Sequence, residues 1–253
     1  MRQKNIVAIC SGILGYEQAW LAVNLAHGLT LLKKNMLLFE LNGSMQNMAA
    51  QLNFPVSEKY EKMLEGRLLL NNAVEKYVKG HFDLIYMGSG QNLLQSYPVG
   101  RLQILARDLQ TVAQKYDYAF VNCSGENVYA DNIFLNLSSY VIVQMKAGYS
   151  SMTAVYQKME QIKKVCRDVR IFVVVTDALS TDEGLSTFRL LENAVSSLLN
   201  GNLHLLGIVH HDGRIKESFE SKELLMNRYA VSDCAENVFT LARDFMKGTD
   251  DGI

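Results

Sequence analysis

Asn5-Ile6-Val7-Ala8-Ile9-Cys10-Ser11-Gly12-Ile13-Leu14-Gly15-Tyr16-Glu17-Gln18-Ala19-Trp20 decides how the rest of the chain reads. An apolar run rich in β-branched residues comes first, a turn with Gly12 and Gly15 follows, and Leu21, Leu25, Leu29 and Leu32 then recur at helical spacing. Strand, loop and helix in that order form the arrangement in which nucleotide-binding α/β proteins aim backbone N–H groups at phosphates. The frame is present and its chemistry is not. A phosphate loop needs Gly where backbone approaches the anion, a Lys for the β and γ oxygens and a hydroxyl for magnesium. Here Gln18 stands at the lysine position, Ala19 at the hydroxyl position, and Glu17 puts a carboxylate where a Gly would face anionic oxygens.

Working outward, the 253 residues suit one large α/β domain over 1–253, and 49% hydrophobic with 20% charged residues is ordinary globular composition. A net charge of −1 gives no basic stripe, so bulk electrostatics point away from nucleic acid. Cys10, Cys123, Cys166 and Cys234 are scattered with no C-x-x-C spacing, which suits small reduced core residues. No leader-like start and no uncharged apolar run of the ~20 residues needed to span a bilayer is present, which predicts a cytoplasmic protein. Further apolar runs at Met36 to Glu40, Phe82 to Met87, Tyr118 to Val121, Val141 to Val143 and Val169 to Val175 alternate with amphipathic segments. That alternation predicts a doubly wound, mostly parallel sheet of about seven or eight strands with helices on both faces.

Ser11-Gly12 through Leu32, with Leu37-Leu38-Phe39-Glu40 after it, resembles the opening of the MinD/ParA family of deviant Walker A ATPases, and within it the branch of the flagellar number regulator FlhG (FleN). The family pattern is Ser-Gly-Lys-Gly-Gly-Val-Gly-Lys-Thr-Thr followed by an Asn-Leu-Ala step. This chain keeps Ser11, Gly12, Gly15 and Asn24-Leu25-Ala26. It departs at both lysines (Ile13, Gln18), at two glycines (Leu14, Glu17) and at both threonines (Ala19, Trp20). The family's Asp-x-Asp after the second strand reads Glu40-Leu41-Asn42, and its Walker B acid, in a strand reading Tyr-Asp-x-x-x-x-Asp, reads Asn122. Gly88-Ser89-Gly90 falls at the family's Gly-rich turn, Thr176-Asp177 at its adenine-contacting Asn, and His210 replaces a Pro in its Leu-Gly-x-Ile-Pro-x-Asp edge strand. His210 and His211 point to opposite faces of a strand, which argues against joint metal ligation.

The resemblance therefore implies a P-loop NTPase-like fold with a degenerate site at Gly12, Ile13, Gly15, Gln18, Ala19, Glu40, Asn42 and Asn122. It implies a non-catalytic scaffold or regulator, without cofactor, that helps place or count a flagellum, pilus or envelope complex through protein partners. The enzymatic alternative is an ATPase that binds ATP and magnesium in an atypical site with Glu40 as its acid. Residues 57–79 and the helices after Ser150 are expected to face partners, with Tyr60, Met63, Tyr77, Tyr149 and Tyr156 as candidate contacts; the alternative for 57–79 is a solvated helical hairpin packed on the sheet. The last helix, about Ala235 to Met246, turns Val238, Leu241, Ala242 and Phe245 to the fold and ends in a short acidic tail. That tail lacks the basic amphipathic character of a membrane-inserting helix, so no autonomous membrane binding is expected. The oligomeric state is left open.

Overall fold

The computed structural model describes residues 5–13, 15–88, 93–166 and 168–250. Leu14 and the Ser89-Gly90 step lie outside them. In chain order the elements are β1 (Ile6–Ser11), α1 (Tyr16–Leu31), β2 (Met36–Glu40), α2 (Met48–Leu52), α3 (Glu58–Leu64), β3 (Glu75–Tyr77) and β4 (Phe82–Ile85). There follow α4 (Val99–Ala113), β5 (Tyr118–Asn122), α5 (Val128–Leu137), β6 (Tyr140–Lys146), α6 (Met152–Val165) and β7 (Arg170–Ala178). The chain closes with α7 (Thr181–Leu199), β8 (Leu203–His210), α8 (Gly213–Glu220), α9 (Leu225–Arg228) and α10 (Asp233–Asp250).

The strands form one eight-stranded sheet in the order β3-β4-β2-β5-β1-β6-β7-β8, parallel throughout except for the antiparallel edge pair β3–β4. β1 lies between β5 and β6 and is buried along its whole length. Its period-2 alternation sends Val7 and Ile9 into the core beneath α1 and α10, and Ile6, Ala8 and Cys10 into the cores of the opposite face. With both faces covered, the strand reads as a continuous apolar run. Helix α1 is itself buried from Gln18 to Leu29, which explains an apolar pattern that goes most of the way round. A Cβ on Gly28 would sit 2.8 Å from the Ala242 methyl, so α1 and α10 approach at a point where only Gly fits. Buried Asn24 spans two elements: its Nδ2 donates to Trp20 O at 2.8 Å, and its Oδ1 accepts from Leu225 N at 2.8 Å at the start of α9.

Three sequence expectations are corrected. Residues 57–79 pack on the sheet but not as a helical hairpin: they form the short helix α3, a 3-10 turn at Leu70–Ala73 and the edge strand β3. Tyr60, Met63 and Tyr77 are buried, so they are packing residues and not partner contacts. Tyr60 and Met63 lie fully inside the core against β2 and β4, and Tyr77 stacks with Phe82, ring centroids 5.2 Å apart. The last helix runs from Asp233 to Asp250, four residues beyond Met246, because Tyr118 and Tyr140 hydroxyls both bond to Thr249 and hold that turn down on the sheet.

Candidate functional site

The carboxyl ends of β1, β2, β5, β6 and β7 meet above the centre of the sheet, the place where open α/β folds keep their sites. Ser11 to Ile13 continue from β1 there and α1 starts close by after Gly15, its N-terminus without a side-chain cap. Ser11 Oγ donates to Gln144 Oε1 at 2.7 Å and accepts from Ile13 N at 3.2 Å. Gln144 Nε2 donates on to Thr176 Oγ1 at 2.7 Å, so one buried polar chain ties the tips of β1, β6 and β7. Gly12 is demanded by packing: a Cβ there would lie 2.5 Å from Val155 N and 2.7 Å from Ala154 C, in the backbone of α6. Ile13 is 37% exposed at the crown of the loop, while Ala19 is fully buried.

Gln18, Asn122 and Glu40 form the centre. Gln18 Nε2 donates to Asn122 Oδ1 and Cys123 O, both at 2.8 Å, and lies 3.1 Å from Ile9 O. Asn122 Nδ2 donates to Glu40 Oε1 at 2.7 Å. The Glu40 carboxyl also accepts from Asn42 N at 3.1 Å and Met48 N at 2.6 Å. Register explains the meeting, since Glu40 and Asn122 are direct neighbours on β2 and β5. Glu40 and Asn122 are 0% exposed. Among the described residues no cationic side chain acts on Glu40, and burial outweighs its three N–H donors, pushing its pKa up to about 8. The Tyr60 hydroxyl donates to Glu40 O at 2.7 Å, which is the work that holds that ring inside. Asn42, expected at an acid position, accepts from Ser44 N at 2.9 Å through its side chain and shapes the turn toward α2.

The cations nearby are engaged elsewhere. Lys146, at the end of β6, lies 2.5 Å from Glu17, so the carboxylate that the sequence sets against phosphates has a partner within the protein. Beside this pair is a cavity of about 230 Å³ lined by Tyr16, Trp20, Thr176, Asp177 and Ile215. Asp177 sits at a bulge near the end of β7 with φ +62°, a left-handed conformation, and its carboxylate is 2.6 Å from His211 Nδ1. His210 bonds instead to Asn237 and Thr181, so the two histidines diverge as their neighbouring positions dictate. Trp20 is 1% exposed with its Nε1 donating to Ser218 Oγ at 3.0 Å, so it is a core residue that backs the cavity from α1. Of the expected contact residues only Tyr149 is exposed, at 79%; Tyr156 is half-buried against the core beneath α6. Sequence reasoning missed Tyr129 and Leu179, 71% and 79% exposed at the start of α5 and just after β7. The available signal was a large apolar residue outside any amphipathic stripe, directly after a strand for Leu179 and in the first turn of a helix for Tyr129.

A parallel sheet with this order, a Gly-containing loop after β1 and a site at the strand tips defines an α/β protein of the P-loop NTPase type. The AAA domain family profile matches residues 5–174, and the chain belongs to that family. No curated protein matches it. Among solved structures, it is similar to the septum site-determining protein MinD of Pyrococcus horikoshii complexed with Mg-ADP: 16% identity, TM-score 0.80, covering 99% of this chain and 100% of that one. It is similar to the MinC:MinD cell division protein complex of Aquifex aeolicus at 16% identity, TM-score 0.75 and 96% coverage of each chain. It is also similar to a ParA family ATPase of Chlorobium tepidum at 15% identity and TM-score 0.74, covering 96% of this chain and 99% of that one. The fold expectation, a mostly parallel sheet between two helical layers, is met.

Proposed function

We propose that the chain is a single-domain, non-catalytic MinD/ParA-like protein, related to the FlhG branch, that acts as a cytoplasmic scaffold or regulator in the placement or number control of a polar or envelope machine. The observation that carries this reading is the closed network of Gln18, Asn122 and Glu40. Where a magnesium-nucleotide would need an ammonium, a hydroxyl and an ionised acid, it has an amide, a methyl group and a carboxyl whose pKa lies near 8. Those groups hydrogen-bond one another, so opening the site to a phosphate would break bonds and return no charge. These residues do not fit a magnesium-nucleotide. Protein contacts then fall to the apolar side chains at the strand tips, Ile13, Tyr129, Tyr149 and Leu179. That MinD of Aquifex aeolicus forms a complex with MinC supports a protein partner as the natural ligand of such a fold.

Calorimetric titration with ATP and magnesium tests the reading, and no binding heat is expected. Each lost charge-assisted hydrogen bond is worth about 1.5–3 kcal/mol, so two or three losses weaken affinity by several powers of ten. A dissociation constant in the low micromolar range would overturn it and favour the alternative, an ATPase with Glu40 as its acid.

A further inference from the structure

We propose that Cys10 and Cys123 form a peroxide-responsive dithiol that closes to a disulfide between the tips of β1 and β5. The parallel register pairs Ile9 with Asn122, and Cys123 N donates to Ile9 O at 3.0 Å. One step further along the same register brings Cys10 beside Cys123. Neighbouring strands run about 4.8 Å apart, within the span of about 4.4–6.8 Å between Cα atoms that a disulfide bridges. Both side chains enter the same apolar cluster as Val143, Met145 and Val155, and Cys123 Sγ lies 4.0 Å from Val121 O.

The surroundings are unusual for two core cysteines. Lys158 reaches in from α6, its side chain only 11% exposed, with Nζ 3.6 Å from Asp131 and close enough to act electrostatically on both thiols. Asp131 in turn accepts from Ser124 N at 2.8 Å, Ser124 Oγ at 3.0 Å and Gly125 N at 3.0 Å, which fixes the turn that follows Cys123. A cation beside a thiol favours the thiolate, the reactive form. Cys10, burial and the Asp131 carboxylate together push the Cys123 thiol well up, against the pull of Lys158. Cys166 and Cys234 have different partners, Leu135 O and Ser232 Oγ.

The oxidant is a hydroperoxide. The thiolate attacks one peroxide oxygen, the O–O bond breaks, and a sulfenic acid forms as hydroxide (or alkoxide) leaves. The second sulfur attacks the sulfenic sulfur, the S–S bond forms, and the sulfenic hydroxyl leaves with the thiol proton as water. Two electrons pass from the sulfurs to the peroxide. Both thiols are 1% exposed, yet Gly12 and Gly125, two residues on from each cysteine, reach the surface, and hydrogen peroxide is little larger than water. The disulfide would tie together the strands that carry the Ser11–Gly15 loop and Asn122.

The test is to treat the full chain with hydrogen peroxide, denature it, titrate thiols and map peptides by mass spectrometry. Two of the four thiols should disappear, with one linked peptide joining Cys10 to Cys123 that dithiothreitol releases. Cys10→Ser and Cys123→Ser should each abolish the linkage and leave a sulfenic acid on the remaining cysteine, trapped by dimedone. Retention of all four thiols, a linkage through Cys166 or Cys234, or oxidation to sulfinic acid without linkage would each overturn the proposal. The mapping on the unmodified sequence decides it even where a variant fails to fold.

Discussion

Asn122→Asp sets a second carboxylate beside Glu40 at the end of β5, and the structure says that it should harm this protein. Asn122 is 0% exposed and its Nδ2 donates to Glu40 Oε1 at 2.7 Å. An Asp there replaces a donor by a second carboxylate at the same separation. At an effective dielectric of 20, two charges 2.7 Å apart repel by roughly 6 kcal/mol, so the pair keeps one proton to a pH well above 8 and never ionises twice in the working range. Glu40 alone gives up its proton near pH 8. Above that pH the variant holds a proton the parent has released, and the cost grows by about 1.4 kcal/mol per pH unit. We expect destabilisation of about 3–5 kcal/mol at pH 9, the usual cost of an uncompensated buried charge. At pH 5, where the pair is protonated and can share an O–H···O bond, about half of that should remain. Adding Gln18→Lys places an ammonium beside the pair and should recover most of the loss, with a coupling of about 1–3 kcal/mol. Urea denaturation at both pH values measures all of this. A cost below 1 kcal/mol at pH 9, or a double variant whose losses simply add, would refute the reasoning.

Gly12→Ala should cost about 1–3 kcal/mol in the same assay with no ligand present, because its Cβ meets the backbone of α6. Gln18→Lys with Ala19→Thr should not create ATP turnover in a phosphate-release assay, since Ile13 and Asn122 remain. His27 is 1% exposed, and burial pushes its pKa down to about 4 from the 6.5 of an unfolded chain. The unfolded state therefore binds its proton first, and this contribution to stability is lost as pH falls from 6.5 to 4. Glu40, raised from 4.5 to about 8, works oppositely: the folded state holds the extra proton, and stability falls as pH rises through that window. The two slopes cancel between pH 4.5 and 6.5, so His27→Gln should expose a decline with rising pH that urea midpoints of the parent do not show. Cosedimentation with anionic liposomes at physiological salt should leave the protein in the supernatant, because the apolar face of α10 is spent on α1 and β8.

The parts of this fold that were legible from the sequence are those where one local signal suffices. β1, β2, β5, β6 and β7 are buried on both faces and so read as unbroken apolar runs. β3 did not, because a three-residue edge strand reading Glu-Lys-Tyr carries no periodicity, and its pairing with β4 is a tertiary fact. Tyr60 and Met63 were misread for a related reason. Amphipathic spacing on α3 marks a face, but whether that face meets water or the sheet depends on the connection that folds residues 57–79 down over β2 and β4.

The site divides the same way. Reading positions one at a time identifies Gln18 and Asn122 as a lysine and an acid lost, and Glu40 as a longer acid retained. Gln18 and Asn122 are 104 residues apart, and Asn122 and Glu40 are 82 apart, yet they are direct hydrogen-bond partners. Once β1, β2 and β5 are known to be neighbours, the three residues read as one network. An amide that donates to an amide that donates to a carboxyl needs no cation and no metal, whereas any one of the replacements made alone would leave a buried charge without its counterpart. Gln18 satisfied but Asp at 122 would oppose Glu40, and Lys at 18 beside Asn122 would leave one ammonium to a carboxyl titrating near pH 8. The three residues are thus physically coupled, and a variant that puts a charge at one of them tests the coupling.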